Sequence, residues 1–327
     1  MILILTEETD LSSNQVCDWL HYLKKPFLRI NHTENIRIDS LTLEKGNIDF
    51  KFWHENKAWS INDFSSIWYR RGWFMVEYNS FASLQNSILS EEKHFFEKFV
   101  GEEITTLLEF VYKMSHKRTK TFGNITKYNV NKLKMLEVAN DTGLKTPITL
   151  ITTRRDKLEN FITKNGTVIS KAIKENIGIS TEKNALWYSN KRLGKKDIKK
   201  IPNQFQISLF QKYYEKSFEV RVFIFEKKTC AMTIFSQNNS KTQEDYRNYD
   251  HSNPTRCLPF ILPKEVEQKI FRFMEAINLN TGSIDFICTP KNEFIFLEIN
   301  PVGQFGMVSN PMNYSLEKDI AKFLAYE

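Results

Sequence analysis

Short apolar runs alternate with amphipathic stretches along the chain, which is the pattern of a mixed α/β protein. The apolar residues 2–5 and 27–30 predict two buried strands, and apolar residues at helical spacing over 16–23 predict a helix between them. Residues 67–70 predict a further strand, and residues 90–114 carry the apolar stripe of a long helix. We expect this part of the chain to form one α/β unit.

The rest of the chain continues the alternation. Apolar runs predict strands over residues 147–151, 168–172, 205–210, 219–225 and 230–235. Helical spacing and helix-ending residues predict helices over residues 131–140, 155–163 and 264–278. We therefore expect an N-terminal α/β domain over residues 1–117, a central part over residues 118–208 and a C-terminal part over residues 209–327.

The most informative stretch is a predicted β-hairpin near the C-terminus. Two apolar runs, residues 284–288 and 294–299, flank the polar segment 290–293, which is typical of a hairpin with a four-residue loop. The alternative interpretation is a solvated hairpin that carries polar residues on its wet face.

The predicted register of this hairpin brings polar side chains together. If Thr289 pairs with Phe294, Asp285 lies directly opposite Glu298. Side chains alternate along a strand, so Glu298 and Asn300 are expected on one face. The opposite face is expected to carry Ile295, Leu297 and Ile299. Two carboxylates this close repel unless a cation lies between them, and an all-oxygen set suits Mg²⁺, which also binds nucleotide phosphates.

Two lysines lie upstream in positions that suit phosphate binding. Lys132 opens a predicted helix, and Lys171 lies within a predicted apolar strand, where burial is costly without a partner. Phosphate is a reasonable partner for Lys171. Each lysine alone is also compatible with an ordinary surface residue whose stem packs on apolar neighbours.

Composition and charge narrow the class of protein. With 327 residues, 41% hydrophobic content and 26 Phe, the chain has ample material for a globular core. Apolar runs are too short for a membrane span, and the first ten residues are too short and acidic for a signal peptide. The four cysteines are far apart, which argues against a disulfide framework or a zinc site and for the cytoplasm.

The formal net charge of +7 is compatible with nucleic acid, an acidic peptide or a nucleotide as partner. No recognised nucleic-acid-binding motif is present. Two basic stretches, residues 117–120 and 191–200, are predicted to be an exposed link and a solvated loop. The pair Arg70 and Arg71 lies among aromatic residues, which is compatible with a structural corner or with a ligand contact.

The order of these elements, ending in the hairpin, resembles the ATP-grasp ligases over nearly the whole chain. The sequence is most similar to peptide maturases of the grasp-with-spasm type, which are relatives of the graspetide (microviridin-type) synthetases. The motifs that carry the resemblance are WYRR at 68–71, NKL at 131–133, SIDF at 283–286 and FLEINPVGQF at 296–305. It implies an α/β (α+β) ATP-grasp architecture, in which central and C-terminal subdomains clasp ATP after an N-terminal domain.

The resemblance also implies roles for individual residues. Asp285, Glu298 and Asn300 would bind Mg²⁺, and Lys132 and Lys171 would hold the phosphates of ATP.

A strand end would contact the adenine through its backbone, and Glu219 would reach the ribose. This strand end comprises Gln211, Lys212, Tyr213 and Tyr214. Arg221 would face the γ-phosphate and the acyl phosphate. Asp245 is a candidate general base, and Arg247 is a candidate ligand for a substrate carboxylate.

Two departures from the usual ATP-grasp pattern are visible. The stretch 173–181, expected to cover the phosphates, has Gly178 as its one glycine, and Lys212 stands at a position often held by an acid.

The activity implied by the resemblance is ATP-dependent macrocyclisation of a ribosomal precursor peptide with a leader and an acidic core, and the implied assembly is a homodimer. Asp or Glu side chains of the peptide would be activated and joined to Ser, Thr or Lys side chains. Two other hypotheses stay open: a ligase that adds an external amino acid to a peptide or protein terminus, and a nucleotide- or nucleic-acid-binding module without turnover.

Overall fold

A computed structural model describes residues 1–77, 90–127, 130–174, 178–180, 185–187, 190–239, 241–243, 246 and 250–326. Its contacts divide the chain into two units. The first comprises Met1–Asn129, Gln304–Gly306 and Ser315–Glu327, and the second comprises Val130–Gly303 and Met307–Tyr314. The domain boundaries predicted after residues 117 and 208 stay a prediction.

Residues 1–127 contain the predicted strands and helices, and they also contain successive strands over residues 35–60 that were not predicted. The elements are β1 (Ile2–Thr6), α1 (Leu11–Tyr22), β2 (Phe27–Asn31), β3 (Asn35–Glu44), β4 (Asn47–His54), β5 (Lys57–Ser60), β6 (Ser66–Tyr69), β7 (Met75–Val76), α2 (Ser90–Arg118) and β8 (Lys120–Phe122). The predicted basic link at 117–120 is wrong, because Lys117 and Arg118 end α2 and Lys120 begins β8.

The described residues of the first unit form two sheets. One is parallel, in the order β2-β1-β6-β8, and the other has the order β5-β4-β3-β7. Asp10 caps α1 by accepting a hydrogen bond from the Ser13 N–H, a type of contact that stabilises a helix by about 0.5–2 kcal/mol. The core includes Phe50, Phe52 and Ile67, all inaccessible to solvent.

The elements from residue 130 onwards follow in chain order. They are α3 (Lys132–Asp141), β9 (Thr149–Arg154), α4 (Arg155–Asn165), β10 (Val168–Lys171), β11 (Gly178–Ser180), β12 (Ala185–Trp187), β13 (Lys191–Leu193), β14 (Gln204–Lys212), β15 (Phe218–Phe225), β16 (Lys228–Ile234), β17 (Cys257–Phe260), α5 (Lys264–Ala276), β18 (Thr281–Cys288), β19 (Phe294–Asn300), α6 (Gly306–Met312) and α7 (Leu316–Ala325). The stretch 191–200 is not wholly a loop, since it begins with β13.

The C-terminal helix α7 belongs to the first unit. It packs against α1. The Ser66 hydroxyl donates a hydrogen bond to the Leu324 carbonyl at 2.7 Å. Lys318 lies over the ring of Trp19, with its Nζ 5.1 Å from the centroid. These contacts join the end of the chain to the parallel sheet.

The second unit contains a five-stranded sheet in the order β17-β16-β15-β18-β19. One face of this sheet packs on α3 and α5 through a core that includes Ala139, Val222, Phe273 and Phe286. Burying one such large apolar side chain contributes about 1.5–3 kcal/mol, so the core holds the sheet firmly. The opposite face is thereby left to carry other side chains of β15, β18 and β19.

A four-stranded sheet in the order β13-β10-β14-β9 forms a separate core in the same unit. Leu158 and Ile162 of α4 pack there with Val168 and Phe210. None of the helices within the described residues is both long and apolar enough to cross a membrane.

Candidate active site

The predicted hairpin is present as β18 and β19, and it brings two carboxylates side by side. Asp285 is paired with Glu298 across the two strands, as predicted. Directly paired residues of antiparallel strands lie on the same face of a sheet. Ile284 and Phe286 flank Asp285 and belong to the core, so the carboxylates lie on the face opposite that core.

The register closer to the turn differs from the prediction by one residue. Phe294 pairs with Cys288, whereas the sequence predicted Thr289 as its partner. A β-bulge next to the carboxylate pair, with Leu297 as the extra residue, absorbs this shift. A bulge inserts one unpaired residue into one strand, and it is common next to functional sites.

The bulge also changes the face on which one apolar residue lies. Ile295 pairs with Ile287, and Ile287 is two residues from Asp285 on the same strand. Ile295 is therefore on the carboxylate face, and the prediction that it shares a face with Ile299 is wrong. Ile295 is fully buried, so it closes this part of the face to water.

Arg221 on β15 extends the carboxylate pair to a row across three strands. It is paired in register with Asp285. Its Nη1 lies 3.3 Å from Oδ2 of Asp285. Arg221 is buried, with 7% of the residue exposed. Burial by itself lowers the pKa of the guanidinium, but the charge of Asp285 and the contact with Tyr246 outweigh it and raise that pKa above its usual value. The row thus contains a permanently charged cation.

Tyr246 is a member of this cluster that the sequence did not single out. Arg221 Nη1 donates a hydrogen bond to the Tyr246 hydroxyl at 2.5 Å. That hydroxyl lies 3.5 Å from Oδ2 of Asp285. Its position between the candidates Asp245 and Arg247 was an available sequence signal, because it is an aromatic residue inside a polar stretch.

Lys132 reaches the row from α3. Asn131 caps this helix by accepting hydrogen bonds from two backbone N–H groups, which fixes the start of the helix. Met135 and Ala139 anchor the helix in the core of the five-stranded sheet. As a result, Lys132 Nζ lies 3.2 Å from Oε2 of Glu298. The predicted phosphate-binding lysine and a predicted metal ligand are therefore neighbours.

Asn300 lies at the end of β19, paired with Ser283. Its Oδ1 accepts a hydrogen bond from the Val302 N–H at 3.1 Å, which closes a turn after the strand. Gly303 follows, and a Cβ at that position would be 2.5 Å from the Ser283 hydroxyl oxygen. The turn thus requires glycine, and it holds Asn300 beside the carboxylates.

The donor set suits Mg²⁺. It comprises the carboxylates of Asp285 and Glu298 and the amide oxygen of Asn300, which are the hard oxygen ligands this ion prefers. The positive charges of Arg221 and Lys132 offset the two carboxylates. Within the described ranges, no group of three or more His, Cys, Asp or Glu side chains is arranged to hold a metal, so this set depends on two acids and an amide.

Two buried polar atoms beside Asp285 also fit a polar ligand. Among the described residues, Arg221 Nε and the Ser283 hydroxyl oxygen have no hydrogen-bond partner. Leaving such atoms unpaired typically costs about 1–3 kcal/mol each, so a bound polar group on this face would be favoured.

Except for Glu219, the remaining predicted nucleotide contacts lie around the four-stranded sheet. Lys171 ends β10 and pairs with Leu209 of β14. Gln211 is buried, and its Nε2 donates a hydrogen bond to Thr149 Oγ1 at 3.3 Å. Lys212 ends β14, with its side chain near the ring of Tyr214 at 5.4 Å.

Tyr213 follows that strand end and is held from two sides. Its N–H donates to the Thr167 carbonyl at 2.9 Å. Its hydroxyl accepts a hydrogen bond from Arg192 Nη2 at 2.5 Å. The strand end 211–214 is therefore an ordered segment, and its role in adenine binding stays a prediction.

Glu219 lies two residues before Arg221 and is bound by protein groups. Its Oε1 accepts from Lys216 Nζ at 2.7 Å. Its Oε2 accepts from the Ser236 hydroxyl at 2.6 Å. All three side chains are buried. The structure thus gives Glu219 a role in anchoring the segment after β16, and a ribose contact stays a prediction. Lys216 and Ser236 were not singled out from the sequence.

The remaining candidates are quickly located. Asp245 and Arg247 lie outside the described residues. Arg70 belongs to the first unit, where it forms a buried ion pair with Asp10 at 2.9 Å and lies over Phe305. Arg71 forms an ion pair with Glu7 at 2.5 Å. The structural interpretation of the arginine pair fits these contacts.

Comparison with known proteins gives a consistent picture of the fold. No protein-family model and no curated protein matches the sequence. A Chryseobacterium gregarium RiPP-associated ATP-grasp ligase, solved with ADP and a leader and core peptide, is 24% identical, with a TM-score of 0.77. The match covers 99% of this chain and 95% of that one. The macrocyclase MdnC of Microcystis aeruginosa MRC, solved with its precursor peptide MdnA, is 22% identical, with a TM-score of 0.75 and coverage of 100% and 99%.

A third solved structure carries the metal as well. The ATP-grasp ligase PsnB, complexed with a phosphomimetic variant of its minimal precursor, Mg and ADP, is 16% identical, with a TM-score of 0.70. That match covers 99% of this chain and 97% of that one. The similarity extends over both units, and the resemblance drawn from the sequence is confirmed at the level of the fold. The chain therefore has the ATP-grasp fold that these solved structures share.

Proposed function

We propose that this chain is an ATP-dependent peptide macrocyclase of the graspetide type. It phosphorylates Asp or Glu side chains of a ribosomal precursor peptide and joins them to Ser or Thr side chains as esters, or to Lys side chains as amides. The observation that carries the proposal is the row of Arg221, Asp285 and Glu298 with Lys132 at its end. Support comes from the fold, which similar structures share while bound to ADP and to precursor peptides.

The row provides carboxylates for a metal ion and cations for the phosphates of a nucleotide. Asp285, Glu298 and Asn300 would hold Mg²⁺, which when bound offsets phosphate charge and orients the transferred group. Lys132 and Lys171 would bind the phosphates of ATP. The ion pair between Lys132 and Glu298 keeps this lysine at the edge of the metal site, 3.2 Å from the carboxylate.

The nucleoside would bind at the strand end of the four-stranded sheet. In this proposal the backbone of Gln211, Lys212, Tyr213 and Tyr214 contacts the adenine, and Glu219 approaches the ribose. Support for the first part is the ordered strand end beside Arg192 and Thr149. For the second part, a ribose hydroxyl would share Glu219 with Lys216 and Ser236.

The first chemical step activates the peptide carboxylate. A carboxylate oxygen of the peptide attacks the γ-phosphorus of ATP, the bond to the leaving ADP oxygen breaks, and an acyl phosphate forms. Stabilising the charge on the transferred phosphoryl group supplies most of the rate in such reactions. Arg221 suits this role because it is buried, charged and fixed by Asp285 and Tyr246.

The second step closes the ring. A Ser or Thr hydroxyl, or a Lys amine, attacks the acyl carbon, its proton passes to a base, and phosphate leaves with the bonding electron pair. Arg221 would stabilise the negative charge of the tetrahedral intermediate. Asp245 is the proposed base, and Arg247 is proposed to hold a substrate carboxylate.

The partner in this proposal is a precursor peptide with a leader and an acidic core, and no nucleic acid is involved. We further propose a cytoplasmic location and a homodimeric assembly, both on the basis of the family resemblance.

The test is to coexpress the chain with small peptides encoded beside its gene that repeat Thr or Ser and Asp or Glu. Macrocyclisation removes one water per ring, so the expected result is a peptide lighter by whole multiples of one water. Purified enzyme should consume ATP only when Mg²⁺ and the peptide are both present. Glu293→Gln, in the turn of the same hairpin, is the matched control and should retain activity.

Each alternative gives a different result. A mass increase by an amino acid residue would identify a ligase that adds an external amine. ATP binding without any peptide-dependent consumption would contradict an enzymatic role and indicate a binding module.

A further inference from the structure

We propose that Tyr246 is the positioning residue for Arg221. This inference rests on the proposed function, because it concerns the arginine that would stabilise phosphoryl transfer. Arg221 has five N–H donors in one plane, and a catalytic role requires this plane to keep one orientation. Asp285 alone fixes it loosely, since Nη1 lies 3.3 Å from Oδ2 and 3.4 Å from Oδ1.

The contact with Tyr246 is the shorter one. Arg221 Nη1 lies 2.5 Å from the Tyr246 hydroxyl oxygen, which accepts the hydrogen bond. The same hydroxyl lies 3.5 Å from Asp285 Oδ2, to which it can donate its proton. Tyr246 and Arg221 are both 7% exposed, so water competes little for these contacts. The Tyr246 hydroxyl thus contacts both the Arg221 guanidinium and the Asp285 carboxylate.

The segment that carries Tyr246 is anchored on the same strand. Glu219 lies on the carboxylate face of β15, two residues from Arg221, and accepts a hydrogen bond from the buried Ser236 at 2.6 Å. The Thr242 hydroxyl donates to the Ser236 carbonyl at 3.0 Å. Two neighbouring side chains of β15, Glu219 and Arg221, therefore bind the segment after β16. The contacts of Ser236 with Glu219 and Thr242 thus help to hold Tyr246 over the row.

The placement explains why a tyrosine suits this position. A phenol hydroxyl can accept from a guanidinium and donate to a carboxylate at the same time, which neither a phenylalanine nor a lysine can do. Arg221 keeps its Nε without a partner among the described residues, on the side away from the Nη1 contacts. With Nη1 fixed, the other donors of the guanidinium are left for substrate oxygens.

The experiment compares Tyr246→Phe, Arg221→Lys and the double variant. Tyr246→Phe keeps the ring and removes the hydroxyl. We expect kcat for peptide-dependent ATP consumption to fall about tenfold, with KM for ATP unchanged, as is typical when a partner of a site residue is removed. The double variant should be no slower than Arg221→Lys alone, because Tyr246 acts through Arg221.

A matched control separates positioning from stability. The Tyr314 hydroxyl donates to the Ala231 carbonyl at 2.8 Å in the same unit, and this bond involves none of the side chains of the row. Tyr314→Phe should therefore lower the melting temperature at least as much as Tyr246→Phe and leave kcat unchanged.

A second readout does not depend on turnover. The side-chain ¹⁵N–¹H signals of Arg221, identified by their loss in Arg221→Lys, should show a guanidinium with hindered rotation in the unaltered protein and free rotation in Tyr246→Phe. Identical Arg221 signals in both proteins would overturn the proposal. So would an unchanged kcat in Tyr246→Phe, or a double variant clearly slower than Arg221→Lys alone. If the unaltered protein consumed no ATP, the proposed function would fail, while the Arg221 signals would still decide whether Tyr246 holds the guanidinium.

Discussion

At the scale of single residues, each carboxylate of the proposed metal site has its own cation. Arg221 lies 3.3 Å from Asp285, and Lys132 lies 3.2 Å from Glu298. Two carboxylates on adjacent strands would otherwise repel each other. With Mg²⁺ between the carboxylates, the donors of these cations that do not face the carboxylates would be available for phosphate oxygens.

The first prediction concerns these carboxylates. Asp285→Asn and Glu298→Gln each remove one charge that no neighbour replaces, so ATP consumption should be lost while the fold persists. ATP consumption and thermal melting should be measured on the same samples. Glu293→Gln is the control, since Glu293 pairs with Lys145 at the far end of the hairpin. Full activity in a folded Asp285 or Glu298 variant would contradict the metal assignment.

The second prediction concerns Arg221. Loss of one preorganised charge contact typically costs about 2.7–4 kcal/mol in the transition state. Arg221→Ala should therefore still bind ATP while its single-turnover rate falls roughly a hundredfold or more. Arg154→Ala, which breaks an exposed pair with Asp156, is the control and should change neither quantity. If nucleotide affinity falls and the rate does not, Arg221 is a binding contact only.

The two kinds of residue in this cluster differ in how far the sequence predicts them. Asp285, Glu298 and Arg221 lie on predicted strands. Because side chains alternate between the two faces of a strand, the sequence predicts the face on which each of these residues lies. Tyr246 contacts Arg221 across 25 positions and Asp285 across 39. Nothing local determines such a contact, because it joins residues that are far apart in the sequence.

At the scale of elements, the hairpin shows both the reach and the limit of pattern reasoning. The apolar runs and the polar turn predict β18 and β19, and the pair of carboxylates is confirmed. The bulge at Leu297 was not predicted, because inserting one residue leaves both apolar runs intact. Its effect appears only in the pairing, where Ile295 moves to the carboxylate face.

The third prediction concerns the turn that ends this hairpin. A Cβ added at Gly303 would lie 2.5 Å from the Ser283 hydroxyl oxygen and 3.2 Å from the Asn300 carbonyl oxygen. Gly303→Ala should therefore destabilise the fold by about 1–3 kcal/mol, the usual cost of overpacking. It should also weaken Mg²⁺-dependent ATP binding, because the turn holds Asn300. Chemical unfolding and nucleotide titration measure the two effects.

Two further variants test the cause of that effect. Gly194→Ala is the control, since the nearest atom to its Cβ would be 3.9 Å away. The double variant Ser283→Gly with Gly303→Ala lacks the Ser283 side chain that the added methyl group would meet. Its stability should therefore largely recover. A Gly303→Ala variant as stable as Gly194→Ala would show that the turn moves freely.

At the scale of the whole molecule, the chain is not folded in sequence order. Residues Ser315–Glu327 return to the first unit, and α3 packs on the five-stranded sheet although β9 to β14 lie between them in sequence. Local patterns predict each of these helices but not its partner. The placement of α3 is what brings Lys132 to Glu298.

The last prediction concerns charge and the peptide partner. The net charge is +7, and the exposed lysines 195, 196, 199 and 200 lie together after β13. An acidic core peptide would be attracted to such a surface, and the range of this electrostatic attraction depends on the salt concentration. The Debye length falls from about 10 Å at 0.1 M salt to about 3 Å at 1 M. A leader peptide that docks through apolar contacts would lose little over the same range.

Raising the salt concentration should therefore slow modification of the acidic core more than it weakens binding of the isolated leader. The measurement compares leader affinity with the KM of the full precursor at low and high salt. Lys199→Gln with Lys200→Gln should raise that KM at low salt, and the exposed pair Lys113→Gln with Lys117→Gln on α2 is the matched control. Salt screens charges but does not weaken apolar contacts. Equal salt dependence of the leader affinity and the precursor KM would therefore show that the basic surface does not select the core. Competition by unrelated DNA at the same affinity would show instead that this surface attracts any polyanion.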